Sequence, residues 1–276
     1  MDALSDLLAY DFLRNALAAG LAASVLCGVV GTLMVVKRLV FLSAGLSHAA
    51  FGGLGLCHLL GYEPLLGAGA VAVVAAFALG GGDRRRPQDA TVGILWAVGM
   101  ALGIVFVGMT PGYAPNLMTY LFGNVLAVRS GDVLLLWWLA GGVLAAFALF
   151  YRQTVAVAFD EEYAELQGVP AGTVTTAVLL VTALSVVFLI QLVGIILVIA
   201  LLTIPPVAAL ALVRGFRGAV AVATLYGAAM TVGGLAVSYA WDLPSGPAMV
   251  LLGAAGLPVV LGVQRWRRAV RPPATS

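Results

Sequence analysis

Ser47 and His48 stand inside an apolar stretch, in the run Ser43-Ala44-Gly45-Leu46-Ser47-His48-Ala49-Ala50-Phe51-Gly52-Gly53. Ionisable groups in such stretches are rare and usually face a cavity or a pathway. A neutral imidazole is a common ligand for zinc and similar cations. It serves equally well as a hydrogen-bond partner of a neighbouring helix, and the sequence leaves both readings open. His58 and Glu63 follow, and together they fit either an acceptor point for a cation or a solvated helix end. His58 lies ten positions after His48, about 80° round a 3.6-residue helix, so the two histidines do not share a face.

A second group lies at residues 159–170, Phe-Asp-Glu-Glu-Tyr-Ala-Glu-Leu-Gln-Gly-Val-Pro, with four of the chain's twelve acidic residues. It reads as a short amphipathic helix closed by Gly168 and then Pro170. Phe159, Tyr163 and Leu166 recur at helical spacing, a face suited to docking in a groove of a partner protein; a solvated charged loop is the other reading. A third feature is Thr203-Ile204-Pro205-Pro206. Proline removes a backbone hydrogen bond and kinks a helix. The pair predicts an interrupted span, lining a pathway or merely bending the architecture.

Other chemistries lack their residues. There is no G-x-x-x-x-G-K-[ST] phosphate loop, the only lysine is Lys37, and H-E-x-x-H, a nucleophile elbow and paired carboxylates within a span are all missing. Cys27 and Cys57 lie inside apolar runs and read as packing residues. Asp242 falls in a turn-rich segment and reads as structural.

These residues need elements to hold them, and composition says which. With 62% hydrophobic residues and 9% charged, the chain is far from a soluble domain, where about a quarter of residues are charged. It is expected to be all-α, a polytopic membrane helical bundle forming a single transmembrane domain over residues 1–276. Twelve of the fourteen basic residues fall in clusters between apolar runs: Lys37 and Arg38; Arg84, Arg85 and Arg86; Arg152; Arg214 and Arg217; Arg265, Arg267, Arg268 and Arg271. Basic residues flanking spans stay on the cytoplasmic side. That places nine spans at about residues 13–36, 46–61, 64–81, 90–109, 132–151, 173–190, 193–213, 218–239 and 247–264, with eight as the other count. The N-terminus falls outside and the C-terminus in the cytoplasm. Asp2, Asp6 and Asp11 argue against a cleaved signal peptide, so the first helix is expected to be retained. The net charge of +2 follows from topology and does not point to nucleic acid.

Residues 116–128 are too short to cross a hydrocarbon core of about 30 Å and are expected as a re-entrant or interfacial helix on the outer side. Residues 169–213 carry no charge and are long enough for two helices, broken near residues 191–194. Glycines recur at helix-packing spacings: Gly28 and Gly31, Gly52, Gly53 and Gly55, Gly99 and Gly103, Gly141 and Gly142. They read as packing positions, with Gly52, Gly53 and Gly55 also able to keep a helix slim beside a conduit.

Taken jointly, residues 42–55, 160–170 and 193–205, with 110–113 and 120–123, resemble the permease subunit of the bacterial metal-ion ABC importers that serve zinc, manganese or iron. The resemblance runs from about residue 17 to 262. It implies a homodimeric permease in the bacterial inner membrane, two cytoplasmic ABC ATPase subunits that hold the ATP, and an external metal-binding protein. No cofactor is implied for this chain, only a transported divalent metal ion. Asp160, Glu161, Glu162, Tyr163, Leu166 and Gly168 match the family's coupling helix, which sits in a cleft of the ATPase. In many relatives the histidine motif reads G-D-x-x-S-H; Ser43 and Ala44 replace the Gly and Asp here, so Ser47 and His48 carry over and the carboxylate does not. The resemblance also implies that His48, Ser47 and the position of Ala44 line the ion route, to which the residues' own chemistry adds Gly52 and Pro205 as path candidates. The alternatives are a permease for a metal chelate of the siderophore or cobalamin type, an ion-coupled secondary carrier and an intramembrane enzyme. The carrier lacks embedded carboxylates and the enzyme lacks a catalytic constellation.

Overall fold

A chain this apolar can satisfy its backbone in a bilayer only through helices or a closed barrel. The computed structural model describes residues 10–80, 88–110, 123 and 125–270, with backbone alone at residues 88, 89 and 267–270. Among them it forms eleven helices: α1 (Asp11–Val36), α2 (Val40–Leu59), α3 (Pro64–Gly80), α4 (Gln88–Met109), α5 (Ser130–Leu149), α6 (Tyr151–Phe159), α7 (Glu161–Leu166), α8 (Ala171–Val193), α9 (Ile195–Leu212), α10 (Phe216–Trp241) and α11 (Ser245–Val270), with a short 3-10 turn at Val125–Ala127. Each of the nine expected spans is occupied by one helix. Eight have the length and apolarity to cross a membrane, and α3, with 17 residues, is apolar and shorter. At 1.5 Å per residue α3 is about 26 Å long, the low end of what a span needs.

Four details differ from the sequence expectation. α2 begins at Val40, six residues early, because the chain reverses over Lys37, Arg38 and Leu39 alone. Arg38 takes φ +59, its N–H bonds Val35 O at 3.1 Å, and Leu39 N–H bonds Met34 O at 2.8 Å. This is the Schellman pattern with arginine where glycine is usual. Second, residues 151–159 form a helix of their own, α6, ahead of the short helix expected within residues 159–170, which is α7. Third, Phe159 ends α6 and is separated from α7 by extended Asp160, so it does not share a helix with Tyr163 and Leu166. Fourth, α9 runs through Pro205 and Pro206 without interruption. The break between α8 and α9 falls at Gly194, whose φ of +83 only glycine adopts cheaply. Arg84, Arg85, Arg86, Arg271 and most of residues 116–128 lie outside the described residues.

Hydropathy does not sort the helices into inner and outer; their small and polar residues do. α2 has the lowest mean hydropathy of the eight long helices, 1.5, and 78% of its apolar window is buried, against 22% for α4 at 2.3. Lipid tails attract apolar side chains as well as a protein core does, so helices associate through close packing and polar contacts. α1 shows how. Gly20, Ser24 and Gly28, spaced by four, meet Thr231, Gly227 and Thr224 of antiparallel α10, and Gly31 meets the Leu202 carbonyl and Pro206 of α9. Pro206 cannot donate to that carbonyl, which is left facing the close-packed glycine. Several buried hydroxyls bond within their own helices: Ser24 to Gly20 O, Thr32 to Gly28 O, Thr182 to Val178 O. They therefore enter the bundle with their donors satisfied.

Candidate functional site

α2 rises from the end of the bundle where Lys37 lies, and α4 runs parallel to it. Gly45 faces Val92, Gly52 faces Gly99 and Gly55 faces Gly103, a constant offset of 47 or 48 residues. On the same register His48 meets Trp96. The two rings are stacked, centroids 4.3 Å apart and planes 28° from parallel, and Phe41 lies 5.6 Å from the same indole. His48 is 7% exposed, and Ser43, Ala44 and Ser47 around it are buried. The His48 Nδ1 lies 2.8 Å from the Ala44 carbonyl oxygen. A carbonyl only accepts, so Nδ1 carries the proton and Nε2 keeps its lone pair. An imidazole held through one nitrogen by a carbonyl is the usual state of a metal-ligating histidine. Ser47 donates its hydroxyl to Ser43 O at 2.8 Å and keeps only acceptor capacity.

Ala44, His48 and Gly52 recur every four residues and form one stripe along α2. Gly52 is closed by α4: a Cβ there would come 3.0 Å from Gly99 O. Gly53 faces Gly67 of α3. The slimness expected of these glycines is thus used for contact with neighbouring helices. His58 and Glu63 lie at the far end of α2 and just beyond it, apart from His48. Glu63 lines a cavity of about 160 Å³ with Phe51, Leu54, Ala68, Ile190 and Gln191, on the side of α2 that faces α3 and α8. Pro205 is buried in α9. Among the described residues, no cluster of three or more His, Cys, Asp or Glu gathers to hold a metal. Another cavity, about 440 Å³ and almost wholly apolar, lies between α1, α5, α6 and α8, and His48 is not among the residues lining it.

At the basic end, α7 is built for precision. The Asp160 carboxylate caps it by accepting the Tyr163 N–H at 2.9 Å. Gly168, at φ +79, closes it: Val169 N–H bonds Ala164 O at 3.0 Å and Gly168 N–H bonds Glu165 O at 2.9 Å, a complete Schellman motif. Ala164 is fully buried and packs with Val157 and Ala171, which fixes the inner face. Tyr163 and Leu166 point away, Leu166 at 85% exposure. Phe159 is exposed as well, its ring edge against Phe216 of α10.

Two participants escaped the sequence reading. Trp96 carried a signal, a tryptophan within a span rather than at its edge. Lys37, taken only as a topological marker, donates to Val157 O of α6 at 3.3 Å and to Thr175 Oγ1 of α8 at 3.1 Å, and lies 3.8 Å from Glu161 Oε2. Thr175 in turn donates to Glu161 Oε1 at 2.6 Å. Its signal was identity: one lysine against thirteen arginines.

Comparison with known proteins places the chain as a whole. The model of the family described as "ABC 3 transport family" matches residues 9–262. An uncharacterised membrane protein of Synechocystis is 36% identical over 270 residues, covering 96% of this chain and 95% of that protein. The manganese transport system membrane protein MntC of Halalkalibacterium halodurans is 31% identical over 250 residues, covering 90% of this chain and 86% of that one. Among solved structures, PsaBC from Streptococcus pneumoniae in complex with Fab superposes with a TM-score of 0.86 at 26% identity, over 98% of this chain and 99% of that one.

Proposed function

The chain belongs to the ABC 3 transport family, and from that premise we propose that it is the membrane permease subunit of an ATP-driven importer of divalent metal ions, with manganese the first ion to test. It is a transport subunit and not an enzyme; ATP hydrolysis resides in a separate ATPase. The observation that carries the reading is a buried histidine on the interior helix α2, its Nδ1 fixed by Ala44 O and its Nε2 left as a base, in a chain matched almost end to end by that family. The metal is cargo, and a route needs few ligands so that the ion can leave.

In this reading two copies of the single domain spanning residues 1–276 enclose the route in the bacterial inner membrane, N-termini outside and C-termini in the cytoplasm. An external metal-binding protein delivers the ion, and a cytoplasmic ABC ATPase dimer supplies the free energy. His48 binds the ion transiently through Nε2, the Ser47 oxygen is a second donor, Ala44 and Pro205 shape the path, and Gly52 lets α4 pack close beside it. His58 and Glu63 serve its outer mouth. Asp160, Glu161, Glu162, Tyr163, Leu166 and Gly168 form the helix that the ATPase grips; its closure rocks the permease halves between outward and inward access. The chelate alternative has less behind it, because several sequence relatives are named for manganese or metal transport, whereas the similar metal-chelate type transporter structure is only 15% identical and shows the fold alone.

The test is metal accumulation by elemental mass spectrometry in cells with and without the permease, co-expressed with its ATPase and binding protein. A selective rise in manganese, zinc or iron is the expected result. No rise in any of the three sinks the reading.

A further inference from the structure

α7 is tied to the bundle covalently through α6 and through residues 167–170. α8 packs on α1, one of the two most buried long helices, and on α2, which carries His48, through apolar side chains such as Leu179 and Ala183 beside Leu42 and Leu46. Lys37 adds a polar link from α7 itself to the end of α1. It caps the C-terminal end of α1, its backbone N–H bonding Leu33 O at 2.9 Å, and a cation there also suits the helix dipole. Its side chain is 8% exposed and reaches three other helices at once: the Val157 carbonyl near the end of α6, the Thr175 hydroxyl in the first turns of α8, and the Glu161 carboxylate at the start of α7. The Thr175 hydroxyl closes the ring by donating to Glu161. Surface ion pairs contribute little, but removing one partner of a largely buried one leaves the other charge uncompensated.

Position makes this contact more than a brace. Only Arg38 and Leu39 separate Lys37 from α2, and both are locked into the Schellman turn that joins the two helices. A displacement of Glu161 is therefore delivered to the α1–α2 corner, and α2 carries it to His48 eleven residues further on. We propose that Lys37 is a positioning residue for transport: with Glu161 and Thr175 it forms the joint through which movement of α7 reaches the helix bearing His48. The proposal rests on the permease reading above.

The test uses the full complex of permease, ATPase and binding protein in liposomes, comparing wild type, Lys37→Met, Lys37→Arg, Glu161→Gln and the Lys37→Met/Glu161→Gln double variant. Two quantities are read: manganese moved per ATP, and the ratio of binding-protein-stimulated to basal ATP hydrolysis. Lys37→Met is expected to lower both about fivefold while basal hydrolysis and co-purification of the ATPase persist. Lys37→Arg should retain more than half of wild-type coupling, and the double variant should be no worse than Lys37→Met alone, since both single changes break the same Lys37–Glu161 pair. Unchanged ratios in Lys37→Met, additive losses in the double variant, or loss of co-purification with the activity would each overturn the joint. A wild-type complex that responds to its binding protein yet moves no manganese, zinc or iron would sink the metal reading, while the stimulation ratio would still decide the role of Lys37.

Discussion

The Trp96 indole lies flat on the His48 imidazole, centroids 4.3 Å apart, because α2 and α4 run parallel in one register. With Nδ1 held by Ala44 O, the stack leaves the imidazole little freedom to swing. Trp96→Ala should lower manganese uptake by about tenfold through misplacement of the ring, and Trp96→Phe, which keeps a stacking face, should keep most of it. Equal uptake by wild type and Trp96→Ala would show that the ring orientation does not matter.

His48→Ala removes the base itself. Loss of a supporting partner alone typically lowers metal affinity at least tenfold, so uptake should fall by more than about tenfold while the ATPase still co-purifies. Uptake at the wild-type rate would take His48 out of the mechanism.

Ala44→Asp would place a carboxylate one helical turn from His48, where many members of the resembled family carry one. Ala44 is buried, so an unpaired carboxylate there should lower the melting temperature of the metal-free protein. Manganese should raise it again, through a stabilisation of up to about 2.7 kcal/mol at a hundred times the dissociation constant. The reading is thermal unfolding with and without manganese. A variant destabilised equally in both conditions would show that position 44 does not face the ion.

Gly99→Ala should destabilise the chain by about 1–3 kcal/mol, since its Cβ would come 2.6 Å from Ala49 Cα and His48 O and force α4 away from α2. Gly142→Ala, which meets nothing within 4 Å in this chain, should stay within about 0.5 kcal/mol of wild type. Thermal unfolding of the detergent-solubilised permease compares them, and similar losses for both would undo the argument from helix contact.

Leu166→Asp should abolish co-purification of the ATPase without changing the permease's own melting temperature, because Leu166 touches water rather than core. Asp160→Ala should loosen α7 by about 1 kcal/mol through loss of its cap, seen as faster amide exchange over residues 161–168. Retained ATPase binding by Leu166→Asp would move the docking face elsewhere.

Much of this was legible in the sequence. Basic clusters and apolar runs located a helix in each of the nine expected places, eight of them long and apolar enough to cross a membrane, and the acidic run with its glycine stop located α7. The start of α2 was missed because an arginine, not a glycine, takes the left-handed turn at residue 38. The interruption expected at Pro205 and Pro206 did not occur: α9 is continuous, and the Leu202 carbonyl facing Gly31 is accommodated at a close helix contact.

Sequence alone decided where the chain crosses and where it turns, because a charge or a backbone group left bare in hydrocarbon is too costly for any packing to reverse. It did not decide which helices touch, since these helices are mostly apolar all round and lipid satisfies apolar faces as well as a neighbour does. Tertiary structure chose the partners through close approach of glycines and a few polar bonds: Gly52 with Gly99, His48 with Trp96, and Lys37 with Glu161, more than a hundred residues apart in the chain.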